Sequence, residues 1–240
     1  MEKKKMKLWK KILIVLFVIF LVFLVMTIPK AMLFTELSTK VSNLEDTKQN
    51  IHIKMNVHQT GYQSHIERYI KDDVDKLVME RTNIDGNTSK LMQFIYPEKR
   101  ILYIEQNGEK TKNVYEEEAP VRSSVLKEGM TSSYTTISNY TLGLAFSPAV
   151  IFSSIHTVEM DGKECYEIST MYNPNYIYDE NSKDLKIYIE KDSGLPVKVV
   201  ETIEENGEKI QNTIAYEYAF DCVTDEDIAE PEDRSYNLIT

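Results

Sequence analysis

The chain is predicted to be an α+β protein, with one transmembrane helix followed by a large curved antiparallel sheet that short helices cover. Three observations predict it. An uncharged run from Ile12 to Ile28 follows a cluster of lysines. From Ile51 onward apolar and polar residues alternate in short segments. Between those segments stand turn pairs such as Asp85-Gly86 and Asn107-Gly108, which are hairpin signals.

Lys3, Lys4, Lys5, Lys7, Lys10 and Lys11 precede the apolar run, and Leu8 and Trp9 extend it. At about 1.5 Å per helical residue the run reaches across a hydrocarbon core of about 30 Å. The basic flank predicts a cytoplasmic tail over 1–11, an anchor over 8–29 and an extracytoplasmic domain over 31–240, located at the cell membrane as a single-pass protein. A cleaved signal peptide fits less well: its apolar stretch is usually roughly 7–15 residues, and no small-x-small site follows here. No cysteine follows the run, which excludes a lipobox.

Residues 1–30 carry seven lysines against one glutamate, net +6, which leaves −16 for the rest of a chain whose formal charge is −10. So acidic an exterior argues against nucleic acid as a partner and against adhesion to anionic headgroups. Without a repeat period or a low-complexity linker, one domain is expected after the anchor.

Phe34, Leu37, Val41 and Leu44 recur at spacings of three, four and three, an apolar stripe on a helix over roughly 31–46 that needs a surface to cover. A coiled-coil stalk is the weaker reading, because there are fewer than about three heptads. The period then changes to two: Ile51, Ile53, Met55 and Val57 share one face, with His52, Lys54, Asn56 and His58 on the other. Further strands are expected near 64–71, 74–82, 89–96, 99–106 and 110–116. Residues 121–136 lose periodicity and read as a long connection of the kind that forms lids. Ile137, Tyr140 and Leu144, then Val150, Ile151 and Ile155, suggest two short helices divided at Ser147-Pro148. Strands resume over 165–172, 183–190, 195–202 and 212–220, about ten in all. Leu185, Ile187 and Ile189 alternate, Gly194 supplies a positive φ, and Pro196 starts a strand.

The C-terminal third, IYIEKDSGLPVKVVE, a Gly-bearing hairpin, TIAYEYAF and then VTDEDIAEPED, resembles the LolA-like lipoprotein-carrier superfamily of half β-barrels, and within it clostridial GerS-related proteins. The order of helix, meander, helical middle and final strands is similar over residues 31–234. The resemblance implies a Gram-positive bacterium and a non-enzymatic protein that binds by one of two modes. One is a lipid, acyl chain or lipoprotein in a concave apolar cavity. The other is a protein partner, as a scaffold for a cell-envelope or spore-cortex factor in sporulation or germination. It carries no catalytic residues over. The cavity would lie between the sheet and helices bearing Phe34, Leu37, Val41, Leu44, Leu144 and Ile151. The fixed anchor suits local binding better than shuttling.

Cys165 and Cys222 are the only cysteines. Outside the membrane they are expected to pair as a disulfide, the alternative being two buried thiols. The four histidines, His52, His58, His65 and His156, lack ligand spacing, so neither a metal nor another cofactor is expected. The acidic stretch from Asp221 to Asp233 lacks the spacing of a calcium loop and reads as a solvated helix start capped by Thr224 or Asp225. No nucleophile elbow, phosphate loop or dinucleotide fingerprint occurs, so no enzyme is predicted. Most of the fifteen tyrosines fall in strands, where half-buried sheet positions account for them.

Overall fold

The computed structural model describes residues 2–116, 153–170, 182–232 and 236–239. One helix, α1 (Glu2–Thr47), is followed by β1 (Asn50–Gln59), β2 (Tyr62–Lys71), β3 (Val74–Asn83), β4 (Thr88–Ile95), β5 (Arg100–Gln106) and β6 (Glu109–Tyr115). After residue 153 come β7 (Ser154–Met160), β8 (Lys163–Thr170), β9 (Ser182–Glu190), β10 (Pro196–Glu205), β11 (Glu208–Phe220) and β12 (Asn237–Ile239). All twelve strands form one large, open sheet in the order β12-β6-β5-β4-β3-β2-β1-β11-β10-β9-β8-β7. Every pairing is antiparallel except β12 with β6, which is parallel.

The tight turns follow from their residues. Asn107-Gly108 and Asn206-Gly207 both take positive φ, the backbone that a two-residue hairpin demands. Gly194, between β9 and β10, has φ +74° where α1 passes close enough that a Cβ would stand 2.7 Å from the Leu37 carbonyl oxygen.

Two expectations about the helical parts are corrected. The anchor and the striped helix are not separate: α1 runs unbroken through Pro29. A proline inside a helix costs about 3 kcal/mol, and the positions turned inward explain why the helix continues. Phe23, Leu24 and Thr27 before Pro29 lie on the same stripe as Phe34, Leu37 and Val41 after it, so one covered side runs across the proline. Ile155, expected in a helix, belongs to β7, where it pairs with Ile168. The other residues of the expected short helices, Leu144 and Ile151 among them, and the 121–136 connection lie outside the described residues.

The expected stripe covers a surface. Leu37 and Val41 are buried against Ile51, Ile53, Ile187, Ile189 and Leu195, with Phe34 and Leu44 packed beside them. Lys40 Nζ donates to the Lys191 carbonyl at 2.7 Å and Lys48 Nζ, just past the helix, to Asp221 Oδ2 at 2.9 Å, which fixes its C-terminal end.

The acidic stretch is a third correction, because it is a strap rather than a solvated helix start. Thr224 and Asp227 do exchange hydrogen bonds in the manner of a capping box, yet only a turn follows. Lys71 pairs with Asp225, and Lys76 Nζ donates to the Asp227 carbonyl at 2.6 Å. The hydroxyls of Tyr96 and Tyr103 both donate to Glu230 at 2.7 Å. Beneath lies a second cluster of Met92, Phe94, Ile101 and Tyr103. Because Tyr103 is fully buried, Glu230→Leu is expected to remove the carboxylate that its hydroxyl donates to and destabilise the fold by about 2 kcal/mol in chemical denaturation.

The two cysteines are free. Cys165 lies on β8 and Cys222 just past β11, and β9 and β10 stand between those strands. Three strand intervals amount to about 14 Å, twice the reach of a disulfide, so the expected pair is not made. Cys165 is buried, which raises its thiol pKa, whereas Cys222 is exposed. Alkylation of the native chain without reductant is expected to label Cys222 alone, with Cys165 reacting only in denaturant.

Candidate binding face

In an antiparallel sheet directly opposed residues share a face, so the registers assign each side chain to one of two. On the face that carries α1, an apolar row crosses six strands without interruption: Tyr216, Met55, Ile66, Met79, Leu91 and Ile104. Tyr216, on β11, is buried at the edge of the helix-covered core. From β2 to β5 the row is half-exposed, and Leu77, Ile95 and Leu102 flank it on the same face.

The two faces are covered on opposite halves. α1 covers one face over β1 and β8–β11, and the strap covers the other over β2–β6. Two quarters of the sheet therefore carry no cover among the described residues, and their chemistry differs. Beyond β11, opposite α1, the surface is polar: Lys186 Nζ meets Glu167 at 3.1 Å, with His156, Ser169 and Lys198 on the same face. Burial pushes the Glu167 carboxyl upward, but hydrogen bonds from Lys186 and Tyr188 outweigh it and hold the group below its ordinary value. Water satisfies such a face. The quarter on the helix side of β2–β5 is apolar, and water does not satisfy it.

A charged pair sits within that apolar quarter. Arg68 donates through Nε at 3.0 Å and through Nη2 at 2.5 Å to Asp75, whose carboxylate is buried. The bidentate geometry satisfies both groups where either alone would be costly. Sequence reasoning missed this pair; its alternation position, on the same face as Ile66 and Ile70, was the available signal.

The opposite face over β1–β3 holds a polar network. His52 stacks on Tyr69 with ring centroids 4.2 Å apart, and His65 bridges Asn56 at 2.8 Å and Glu67 at 3.1 Å. Tyr69 donates to the same Glu67. Burial lowers the pKa of His52, with Glu67 pulling the other way. Burial raises that of Glu67, but Tyr69 and His65 bring it below its ordinary value. Further along, Glu80, Lys90, Glu105 and Lys110 oppose one another in a ladder of alternating charge, with contacts of 2.7 Å and 3.2 Å. Among the described residues no group of three or more His, Cys, Asp or Glu is placed to hold a metal ion.

The signs of these shifts fix a pH dependence. A histidine whose folded pKa is lowered gives stability that is full above about 6.5 and falls as the pH drops toward the folded value. The lowered carboxyls of Glu67, Glu105, Glu167 and Glu190 lose theirs below about 4.5, as the pH falls through their folded values. His52→Gln is expected to flatten the stability profile between about pH 7 and pH 5.5 and to leave the more acidic limb in place.

Of the residues expected to cover a cavity, Phe34, Leu37, Val41 and Leu44 line the helix side of this face, over its C-terminal half. No family model matches the chain, and no curated protein matches it. Among solved structures the chain is similar to a DUF1329 family protein from Desulfovibrio piger at 13% identity and a TM-score of 0.24, over 82% of this chain and 95% of that one.

Proposed function

We propose that this protein is a membrane-anchored, extracytoplasmic binding protein of LolA-like half-barrel architecture, without enzymatic activity, whose ligand is an acyl chain lying on the helix-side face of β2–β5. The observation that carries this reading is the apolar row from Met55 to Ile104, continuous with the core yet half-exposed over four strands. With α1 along the flank of the same face, the row is an apolar surface on which an acyl chain gains by leaving water. Anchoring rests on the first helix, apolar and exposed from Ile12 to Val22, with exposed Leu8 and Trp9 before Lys10 and Lys11.

The test is photocrosslinking in vesicles that contain a diazirine-bearing phospholipid. The expected result is label on peptides holding Met79, Leu91 and Ile104. Label confined to the first helix would remove the acyl-chain reading.

One feature favours a protein partner instead. β7 forms the sheet edge, its outer side pairing with no strand among the described residues, and an open edge can accept a strand from another chain. On that reading the protein holds an envelope or spore factor at the membrane, and mutating β7 rather than the apolar row would abolish its role.

A further inference from the structure

The first helix has two different sides over the turns where it leaves the apolar run. Phe23 and Leu24 are half-buried and Thr27 is 2% exposed, so one side of the helix is covered here. Val25, Met26, Ile28 and Met32 on the other side are 73%, 52%, 49% and 68% exposed. A stalk holding the domain away from a bilayer would be uncovered all round at this level. Here one side of the helix is already covered before the apolar run has ended, and the first bond to the domain follows at Lys30.

Pro29 marks the depth. It has no N–H, so the carbonyl four residues earlier, on Val25, receives no helical hydrogen bond. In hydrocarbon that carbonyl would be costly, whereas at the headgroup layer water reaches it. Counting from Leu8, with Lys10 and Lys11 snorkelling to the inner headgroups, to Val25 gives a span of about 27 Å, close to the thickness of a hydrocarbon core. The outer interface therefore falls at residues 25–29. At the next residue, Lys30 Nζ donates to the Ser153 carbonyl at 2.7 Å, and Ser153 directly precedes β7. Ser153 is itself buried.

We infer that the corner of the sheet at the start of β7, beside the buried Ser153, is a bilayer-contacting surface, seated in the headgroup layer by the unbroken first helix. Its partner is the lipid surface of the membrane that the same helix spans. The inference rests on the anchoring reading above and adds a fixed height and orientation to it. The domain meets the membrane directly at one corner instead of swinging from a linker, and the opposite strand ends, at the β2–β3 turn and the β9–β10 turn, point away. A ligand drawn from the same leaflet then has a short path to the sheet.

The test uses the full chain in phosphatidylcholine vesicles carrying a headgroup nitroxide, with Trp9→Phe to remove the native fluorophore. Ser154→Trp reports the corner. Asp73→Trp, exposed in the β2–β3 turn at the far strand end, is the control. His156→Trp, also exposed on β7, serves if the first variant folds poorly. Flotation is measured on the same samples. Chains that float with corner quenching at least threefold stronger than the control support the inference. Chains that float with equal quenching at both positions overturn it and leave the anchor standing. Chains that do not float overturn it together with the anchoring reading.

Discussion

Gly194→Val is expected to unseat the helix from the sheet, at a cost of about 3 kcal/mol or more, read as a lowered midpoint in chemical denaturation. Two causes add. With φ at +74° the backbone is strained for any side chain, and a Cβ built there stands 2.7 Å from the Leu37 carbonyl oxygen and 3.3 Å from Val41 Cγ2. The obstruction is helix backbone, which no rotamer change relieves. Moving it would pull Leu37 and Val41 out of the core and break the bond from Lys40 to the Lys191 carbonyl. Gly207→Ala separates the causes, because Gly207 has φ +82° with nothing within 4 Å. That variant should lose only the conformational part, about 1–2 kcal/mol.

Leu91→Glu is expected to reduce lipid photocrosslinking at least tenfold. Leu91 lies mid-row between Met79 and Ile104, and a carboxylate there would have to shed its water against an acyl chain. Lys90 is the matched control. It neighbours Leu91 in sequence, points to the opposite face and pairs with Glu80 at 2.7 Å. Lys90→Gln should leave crosslinking unchanged while removing an exposed ion pair worth about 0–1 kcal/mol. If both variants lost crosslinking equally, the effect would be on folding and not on the face.

The sheet was legible wherever alternation and turn chemistry agreed. β1 shows both faces in its sequence, and Gly194 and Asn107-Gly108 sit at the turns their residues demand. β7 was hidden because Val150, Ile151 and Ile155 can be fitted to a helical period. The Asp161-Gly162 pair, with φ values of 51° and 77°, was the counter-signal, since such a pair implies a strand on each side. β12 was illegible for a different reason: three residues have no period, and the strap that delivers them is held by tyrosine hydroxyls and lysines distant in sequence.

The candidate face was half legible. The stripe of Phe34, Leu37, Val41 and Leu44 announced that the helix covers something. Which half of the sheet it covers depends on strand order, which local periodicity does not encode. The continuity of the helix through Pro29 is likewise a tertiary effect: contacts on both sides of the proline outweigh a local break. The free cysteines follow from the same source, since two intervening strands separate positions that sequence alone places within reach.

The central claim is tested most directly by native mass spectrometry of the full chain released from a mild detergent micelle, with organic extraction of whatever accompanies it. A stoichiometric adduct of lipid mass that survives detergent removal and is absent from Leu91→Glu is the result this account predicts. A bare chain, unchanged when the protein is taken from its native membranes, would contradict it.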